Sequence, residues 1–518
     1  MVSRTNGFFV RDWSLGLGWN NMRYILEAAV LQASLLNRTL IIPSFIYARA
    51  CEYPIEVCAE YAPMVNKGDA VGWEEWRSLP TEQQMGWRIP ISLMVNITQI
   101  REKHPVILIS DWLRMHGRSP DEERSNGMWH RDFYHASASV FEEDETKTPS
   151  LFVVENRWYD PQNVIRVDRI PDDMKERGYW EPEGGNEDAG ERGHWPVQPE
   201  TKVSEHLDAI AGDNAFMDFD SAKQALQEGI TGVVWDLSSD EKIINLLRDN
   251  GWEVLYTYKA PWGDYTKTVV EPLLQVVRRS AIRGWVDEYA REKADVLLLA
   301  GETHLYRKPG AMRFTTRERS YDFQDTVLNY IVSVAAYDVL AFRLAQRMRA
   351  RVDGRLWMGA HMRRGDFVRN GWAMEKDPKI HVERVKDRLA SGRQVLESLK
   401  QKRLVPYDIP GMRVSREFVE RDAPWSTDPF YIATDERDPE ALRIIAEHGA
   451  VFLKDLLTMD DLREFGWPLL LTDCRAVVEQ HLLARSAYFY AHILSSVAGG
   501  IVNLRAAAGA DARTALVD

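Results

Sequence analysis

The run Leu356-Trp357-Met358-Gly359-Ala360, followed at once by His361-Met362-Arg363-Arg364-Gly365-Asp366-Phe367, constrains this chain more than any other stretch. A short apolar run that turns abruptly polar is what a buried parallel strand looks like where it leaves the sheet. The turn then holds two guanidinium groups and a carboxylate at the strand's carboxyl end. In an open α/β sheet that edge is where ligands bind, and the arginine fork matches phosphate or carboxylate oxygens. Taken alone, the stretch fits a surface Arg-Asp pair equally well. The rest of the chain has to decide.

Strand and helix patterns alternate on both sides of this motif. Phe8-Phe9-Val10, the glycine loop Leu15 to Asn20, a helix with Met22, Ile25, Leu26, Ala29, Ala33 and Leu36 on one face, and Thr39 to Ile42 make a β-α-β unit. Backbone amides in its first turn face a polar or anionic ligand in such a unit. A strand over Pro105 to Ser110 follows, then polar stretches at Asp121 to Asp144 and Arg177 to Glu200, read as surface insertions. A second β-α-β pass is predicted from Gly232-Val233-Val234-Trp235, a helix over Asp240 to Asp249, and Glu253 to Tyr256. A helix near Glu271 to Lys293 leads to the strand Asp295 to Leu299. Basic Arg307 to Arg319, with Pro309-Gly310, reads as a linker. Beyond it, one long helix from Asp325 to Arg349 presents Leu328, Ile331, Ala335, Val339 and Phe342 on one face. After the arginine motif come a helix over Ile380 to Lys402, the strand Pro429 to Ala433 with Asp435 in its turn, and a helix opened by Asp438-Pro439-Glu440. The strand Ala450 to Leu453, a helix over Asp473 to Leu483 and the strand Ala487 to Tyr490 complete the pattern, and Ser495-Ser496 starts the last helix. Such alternation predicts an α/β fold with two parallel-sheet domains facing a cleft.

At 518 residues the chain exceeds one ordinary core, which agrees with two domains. Lys plus Arg number 65 against 78 Asp plus Glu, a net charge of −13, which argues against general nucleic-acid or membrane-surface binding. Three cysteines exclude a disulfide scaffold and a four-cysteine zinc site. Cys51 and Cys58 close one small loop in an oxidising compartment or stay free thiols. No apolar run reaches the length of a signal core or a membrane span, so the sequence fits a cytoplasmic protein and one whose anchor lies upstream equally. Gly16-x-Gly18-x-x-Asn21 lacks the third glycine of a dinucleotide loop, and the next strand ends in Pro43-Ser44 without an acid for a ribose. Asp218-Phe219-Asp220 spells a D-x-D, more simply read as a solvated turn.

Four motifs stand in a fixed order. Gly18-Trp19-Asn20 precedes a helix ending Leu35-Leu36-Asn37-Arg38-Thr39-Leu40, with Pro43 beyond. His361 to Phe367 reads His-x-Arg-Arg-x-Asp-Phe, Tyr431 to Asp435 ends in Ala-Thr-Asp, and Val478-Glu479-Gln480 is followed by Ser495-Ser496. Together they resemble the protein O-fucosyltransferases and, more distantly, the α1,6-fucosyltransferases. The resemblance implies a GT-B-like fold of two Rossmann-like domains: residues 1–310 on the acceptor side, with insertions near 119–148 and 177–200, and residues 311–518 for the nucleotide sugar. It implies a hexosyltransferase that moves fucose from GDP-fucose to a hydroxyl of a protein or glycan, with inversion and without a metal or other cofactor. Arg363 takes the leaving β-phosphate in that reading. Ser495 and Ser496 hold phosphate, His361, Asp366 and Asp435 shape the nucleotide site, and Gly18 and Asn20 face the sugar from the other domain. The endoplasmic reticulum or Golgi lumen is the expected compartment, with the membrane reached only through an anchor outside this chain. Two departures stand out: Ala487 where many members carry an aspartate that contacts the purine, and Leu17 where some carry a glutamate as candidate base. Asp12 and Glu27 are the nearby carboxylates. A non-catalytic relative that binds a nucleotide sugar or glycan, and a transferase for another nucleotide sugar, remain alternatives.

Overall fold

Strands covered by helices on both faces are apolar along their whole length, and β1 (Phe8–Arg11) and β2 (Thr39–Ile42) are buried almost throughout. The computed structural model describes residues 4–71, 77–124, 126–128, 149–159, 164–184, 192–196, 201–229, 235–259, 267–301, 312–331 and 334–518. Between the two strands runs α1 (Trp19–Leu35), with the expected face of Met22, Ile25, Leu26, Ala29 and Ala33 buried. Tyr24, Ala28 and Val30 are buried as well, so the helix is enclosed on nearly every side. The first half adds β3 (Val106–Leu108), β4 (Leu151–Val154), β5 (Ile165–Val167), β6 (Ile282–Gly284) and β7 (Val296–Leu299). Their sheet runs β3-β2-β1-β7-β4, all parallel, while β5 and β6 pair with each other in parallel.

The second half contains α2 (Arg317–Thr326), α3 (Ala335–Ala350), β8 (Met358–Met362), α4 (Gly365–Asn370), α5 (Pro378–Leu399), β9 (Phe430–Thr434), β10 (Ala450–Val451), α6 (Thr472–Ala484), β11 (Tyr488–Ala491), α7 (Ser496–Ala507) and β12 (Ala515–Val517). Its sheet is also wholly parallel, in the order β10-β9-β8-β11-β12. The expected α/β architecture with two parallel sheets is therefore present. One apolar cluster spans both halves, from Phe9 and Ile41 through Ile25 to Val478, Phe489 and Ile501. Among the described residues no single helix is long and apolar enough to cross a membrane.

Several local expectations fail for identifiable reasons. The strand read over Pro105 to Ser110 stops at Leu108, because Asp111 accepts the Leu108 amide at 3.2 Å and starts a helix at Ile109. Residues 232–234 lie outside the described residues. Trp252–Tyr258, the strand of that same pass, pairs antiparallel with Pro272–Arg278, which pairs in turn with Phe216–Asp218. The helix expected near Glu271 to Lys293 is thus a strand, then β6, then a short helix Trp285–Tyr289. Short apolar runs do not distinguish a strand from a helix by periodicity.

The long helix also divides. After α2 a wide turn covers Val327–Ile331, and α3 begins at Ala335 with its apolar stripe rotated to Tyr337, Leu340, Ala341, Leu344 and Met348. Ala335, Val339 and Phe342 are exposed as a result. Of the linker, residues 307–311 lie outside the described residues. Met312 and Phe314 are buried, and Phe314 exchanges two backbone hydrogen bonds of 2.8 Å with Tyr256 of the first half. Within the polar stretches, residues 125, 129–148, 185–191 and 197–200 lie outside the described residues. Trp195 enters the core and donates to the Ile282 carbonyl at 2.8 Å, so that part of the second stretch is structural. Cys51 and Cys58 form a disulfide, and Cys474 is free and buried.

The packing of α5 on β11 has a measurable consequence. A Cβ on Gly392 would lie 2.3 Å from the Tyr488 ring. Gly392→Ala should lower the melting temperature: overpacking costs about 1–3 kcal/mol, against a helix-propensity gain of at most about 1 kcal/mol. A thermal melt in which the variant is more stable than the parent would mean that the ring moves aside freely.

Candidate functional site

The register of the second sheet aligns His361 with Ala433 and Ala491, which puts the ends of β8, β9 and β11 on one edge. Arg363 leaves β8 there and donates to Asp435 after β9 and to Asp366 in the first turn of α4, each at 2.6 Å. Its side chain is 25% exposed, so the guanidinium is held on both sides yet open to solvent. A guanidinium has five N–H donors, and two bonds leave three for a ligand. Asp435 is occupied twice, since its other oxygen accepts the Arg364 amide at 2.7 Å.

Arg364 turns away from this opening. It is buried, its Nε donates to Glu436 at 2.7 Å, and its terminal nitrogens donate to the Lys376 carbonyl and to His381 Nδ1. The two adjacent arginines thus divide between an open edge and an internal lattice, as alternation along an extended segment predicts.

His361 Nε2 lies 2.9 Å from the Ser495 hydroxyl. Burial, with the Arg363 charge adding to it, pushes the imidazole down to about 3, so the ring is neutral at ordinary pH. Ser495 is the N-cap residue of α7, but its hydroxyl makes no cap bond and is turned to His361 instead. The first amides of α7 are therefore not satisfied by that side chain, and the helix dipole points its positive end at the same edge. The Ser496 carbonyl accepts the Tyr24 hydroxyl of α1 at 2.6 Å, which ties the start of α7 to the first half.

Of the first-half residues singled out in the sequence, Gly18 is linked to this edge through Arg49, whose guanidinium lies close enough to Arg363 to feel its charge. Gly18 precedes α1, and the Arg49 guanidinium packs 3.6 Å from where a Gly18 Cβ would stand. Asn20, in the first turn, is buried with its side-chain oxygen unpaired among the described residues. Arg49 was not anticipated. Its backbone amide donates to Asp473 at 2.6 Å, and burial lowers its pKa, with Asp473 opposing and the nearby Arg363 charge adding. Lys67 donates to the Arg49 carbonyl at 3.1 Å and is pushed down to about 8 by burial, with Arg49 adding. Lys267 donates to the carbonyls of Ile493 and Leu494, just before Ser495. A cation in a loop carries no sequence signal of this kind, because only the fold brings it to the edge.

The remaining candidates are engaged elsewhere. Asp12 is buried and accepts the Gly301 amide at 2.7 Å. Glu27 is fully buried, 3.3 Å from Arg23. Ala487 is buried at the amino end of β11, the opposite end from Ser495, so its identity does not bear on this edge. Asp218 caps the helix Phe219–Glu228, accepting the Ser221 amide at 2.7 Å, as the solvated-turn reading expects.

The lattice behind the edge makes stability depend on pH. His381 is buried beside Arg364, and burial first, then that charge, push it down to about 4. With the folded value below the unfolded one, about 6.5 for a free imidazole, the unfolded chain binds more protons between them. Stability should fall as pH drops from about 6.5 toward 4. His381→Gln, which keeps an acceptor for Arg364, should flatten that fall in urea titrations at pH 4.5 to 7.5. An unchanged slope would show that His381 does not contribute to it.

No protein-family model matches the chain, and no curated protein matches it. Among solved structures it is similar to POFUT1 in complex with GDP-fucose, at 10% identity over 99% of this chain and 98% of that one, with a TM-score of 0.35. POFUT1 in complex with GDP gives the same identity, coverage and score. A likeness at that score says nothing about this site, whose chemistry rests on its own residues.

Proposed function

We propose that the protein is an inverting, metal-independent glycosyltransferase that moves fucose from GDP-fucose to a hydroxyl of a protein or glycan. The observation that carries this reading is Arg363, fixed between Asp366 and Asp435 at the strand edge beside the start of α7, with Arg49 approaching from the first half. As the bond from the sugar C1 to the β-phosphate oxygen breaks, negative charge grows on the departing diphosphate. A guanidinium already oriented by two carboxylates meets that charge without reorganising, and the α7 amides add to it. Neutral His361 holds the Ser495 hydroxyl, and Gly18 and Asn20 form the wall on the sugar side. Residues 311–518 then hold the donor and residues 1–310 face the acceptor. The choice of guanosine and fucose within this class rests on the four ordered motifs. The Cys51–Cys58 disulfide supports work in the oxidising secretory lumen.

A second reading, a binder of nucleotide sugars without catalysis, is favoured by one observation. Asp12 and Glu27, the carboxylates closest in sequence to the Gly-x-Asn loop, are both tied into the structure. Donor turnover separates the two readings.

Without added divalent metal, GDP should raise the melting temperature more than UDP or ADP does; equal shifts would remove the guanosine assignment. Arg363→Ala should lower turnover by roughly two to three orders of magnitude, the effect of losing one preorganised donor, while remaining folded by circular dichroism. Arg364→Ala should instead lose stability, since it breaks the buried contacts to Glu436 and His381. A folded Arg363→Ala protein with near-normal turnover would end the mechanism.

A further inference from the structure

A second cleft, of about 710 Å³, opens at the carboxyl ends of β5 and β6. It belongs to neither large sheet and shares no residue with the edge described above. We infer that it binds an anionic oligosaccharide, one whose sugar rings carry carboxylate or sulfate groups.

Charge is the first argument. Four cations line the cleft, Arg169, Lys175, Arg291 and Arg319, against the carboxylates of Asp172 and Asp287. Lys175 pairs with Asp287 at 2.7 Å, and Arg319 pairs with Asp168 behind the wall, also at 2.7 Å. Asp287 also accepts the Ile170 amide at 2.7 Å, so this part of the wall is rigid. Asp172 is almost fully exposed, 3.6 Å from Lys175. Arg169 and Arg291 make no ion pair or hydrogen bond from their side chains among the described residues, and both are exposed. Counting Asp168, positive charge is still in excess here, on a chain whose net charge is −13. Two uncommitted guanidinium groups on separate loops, one after β5 and one after the helix Trp285–Tyr289, suit an anion carried along a chain better than one small ion.

Shape is the second argument. Trp180 and Pro182 add an apolar part to the lining, and the Trp180 plane is fixed by edge-on contact with Trp195, ring centres 4.8 Å apart, and by the Arg283 guanidinium 5.9 Å from its ring centre. A fixed, half-buried indole in a lining of guanidinium groups suits the C–H side of a pyranose with charged substituents. The volume lies within the usual range for a ligand site, about 300–1,000 Å³. The inference does not depend on the donor reading of the other site.

Isothermal titration of the whole protein tests it, with four probes: a neutral tetrasaccharide, its sulfated form, tetragalacturonate and inorganic sulfate. At least one charged tetrasaccharide should bind about tenfold or more tightly than the neutral one and than sulfate, since one charge-assisted hydrogen bond is worth that much. Which one binds decides between sulfate and carboxylate. Combined Arg169→Ala and Arg291→Ala, both at exposed positions, should remove most of that affinity without changing the melting temperature. Trp180→Ala should weaken the oligosaccharide and leave sulfate binding alone. Excess GDP should not displace the ligand. Equal binding of the neutral probe, undiminished binding by the double arginine variant, displacement by GDP, or no binding at millimolar concentration would each overturn the inference.

Discussion

One carboxylate, Asp435, holds the second half's candidate edge together. Its two oxygens take the Arg363 guanidinium and the Arg364 amide, so the turn after β8 cannot move without breaking both bonds. The acid reaches that turn only because β8 and β9 are paired with His361 opposite Ala433 and Met362 opposite Thr434. Gly365 is the other half of the arrangement, since a Cβ there would lie 2.2 Å from the Asp435 carboxylate. Sheet register, an acid and a missing side chain together fix the open arginine, and the buried one carries the hydrogen-bonded lattice behind it.

The same economy joins the two halves. Helices α1 and α7 approach so closely that Cβ atoms on Gly499 and Gly500 would meet Tyr24 and Lys267, and Arg23 and Gln480, within 3 Å. The Tyr24 hydroxyl can bond the Ser496 carbonyl only at that separation. This contact helps to bury α1 on nearly every side, and it carries Lys267 of the first half to the edge where α7 begins. The segment just before Cys51 adds a second tie: the Arg49 amide bonds Asp473, and the Thr472 amide bonds the Ala50 carbonyl at 3.0 Å.

What the sequence makes legible follows range of interaction. The strand ending at Arg363, the turn at Asp435 and the start of α7 at Ser495 are local events, a change from apolar to polar or a hydroxyl before a helix, and each is found where the pattern predicts. Arg49 and Lys267 are isolated cations whose position depends on contacts hundreds of residues away, so no local pattern marks them. Pro272–Arg278 failed for a related reason, because an apolar run of seven residues becomes a strand through its antiparallel partners. Val339 and Phe342 were misplaced because one break before α3 rotates every later position on the helix. Ala487 shows the limit of motif alignment: its spacing from the serine pair is suggestive, but the strand between them carries it to the opposite end of the sheet.

Charge balance at the edge links the donor reading to the apposition of the halves. Arg363 faces two carboxylates, so the second half alone offers an anion a cation already neutralised twice over. In the donor reading, the positive field that a diphosphate needs is completed by the α7 amides, with Arg49 and Lys267 of the first half beside them. Arg49 and Lys67 have pKa values lowered by burial first, with the Arg363 charge adding at Arg49 and the Arg49 charge adding at Lys67, while Asp473 opposes both. In the donor reading, a diphosphate at this edge offsets the repulsion between the Arg49 and Arg363 charges.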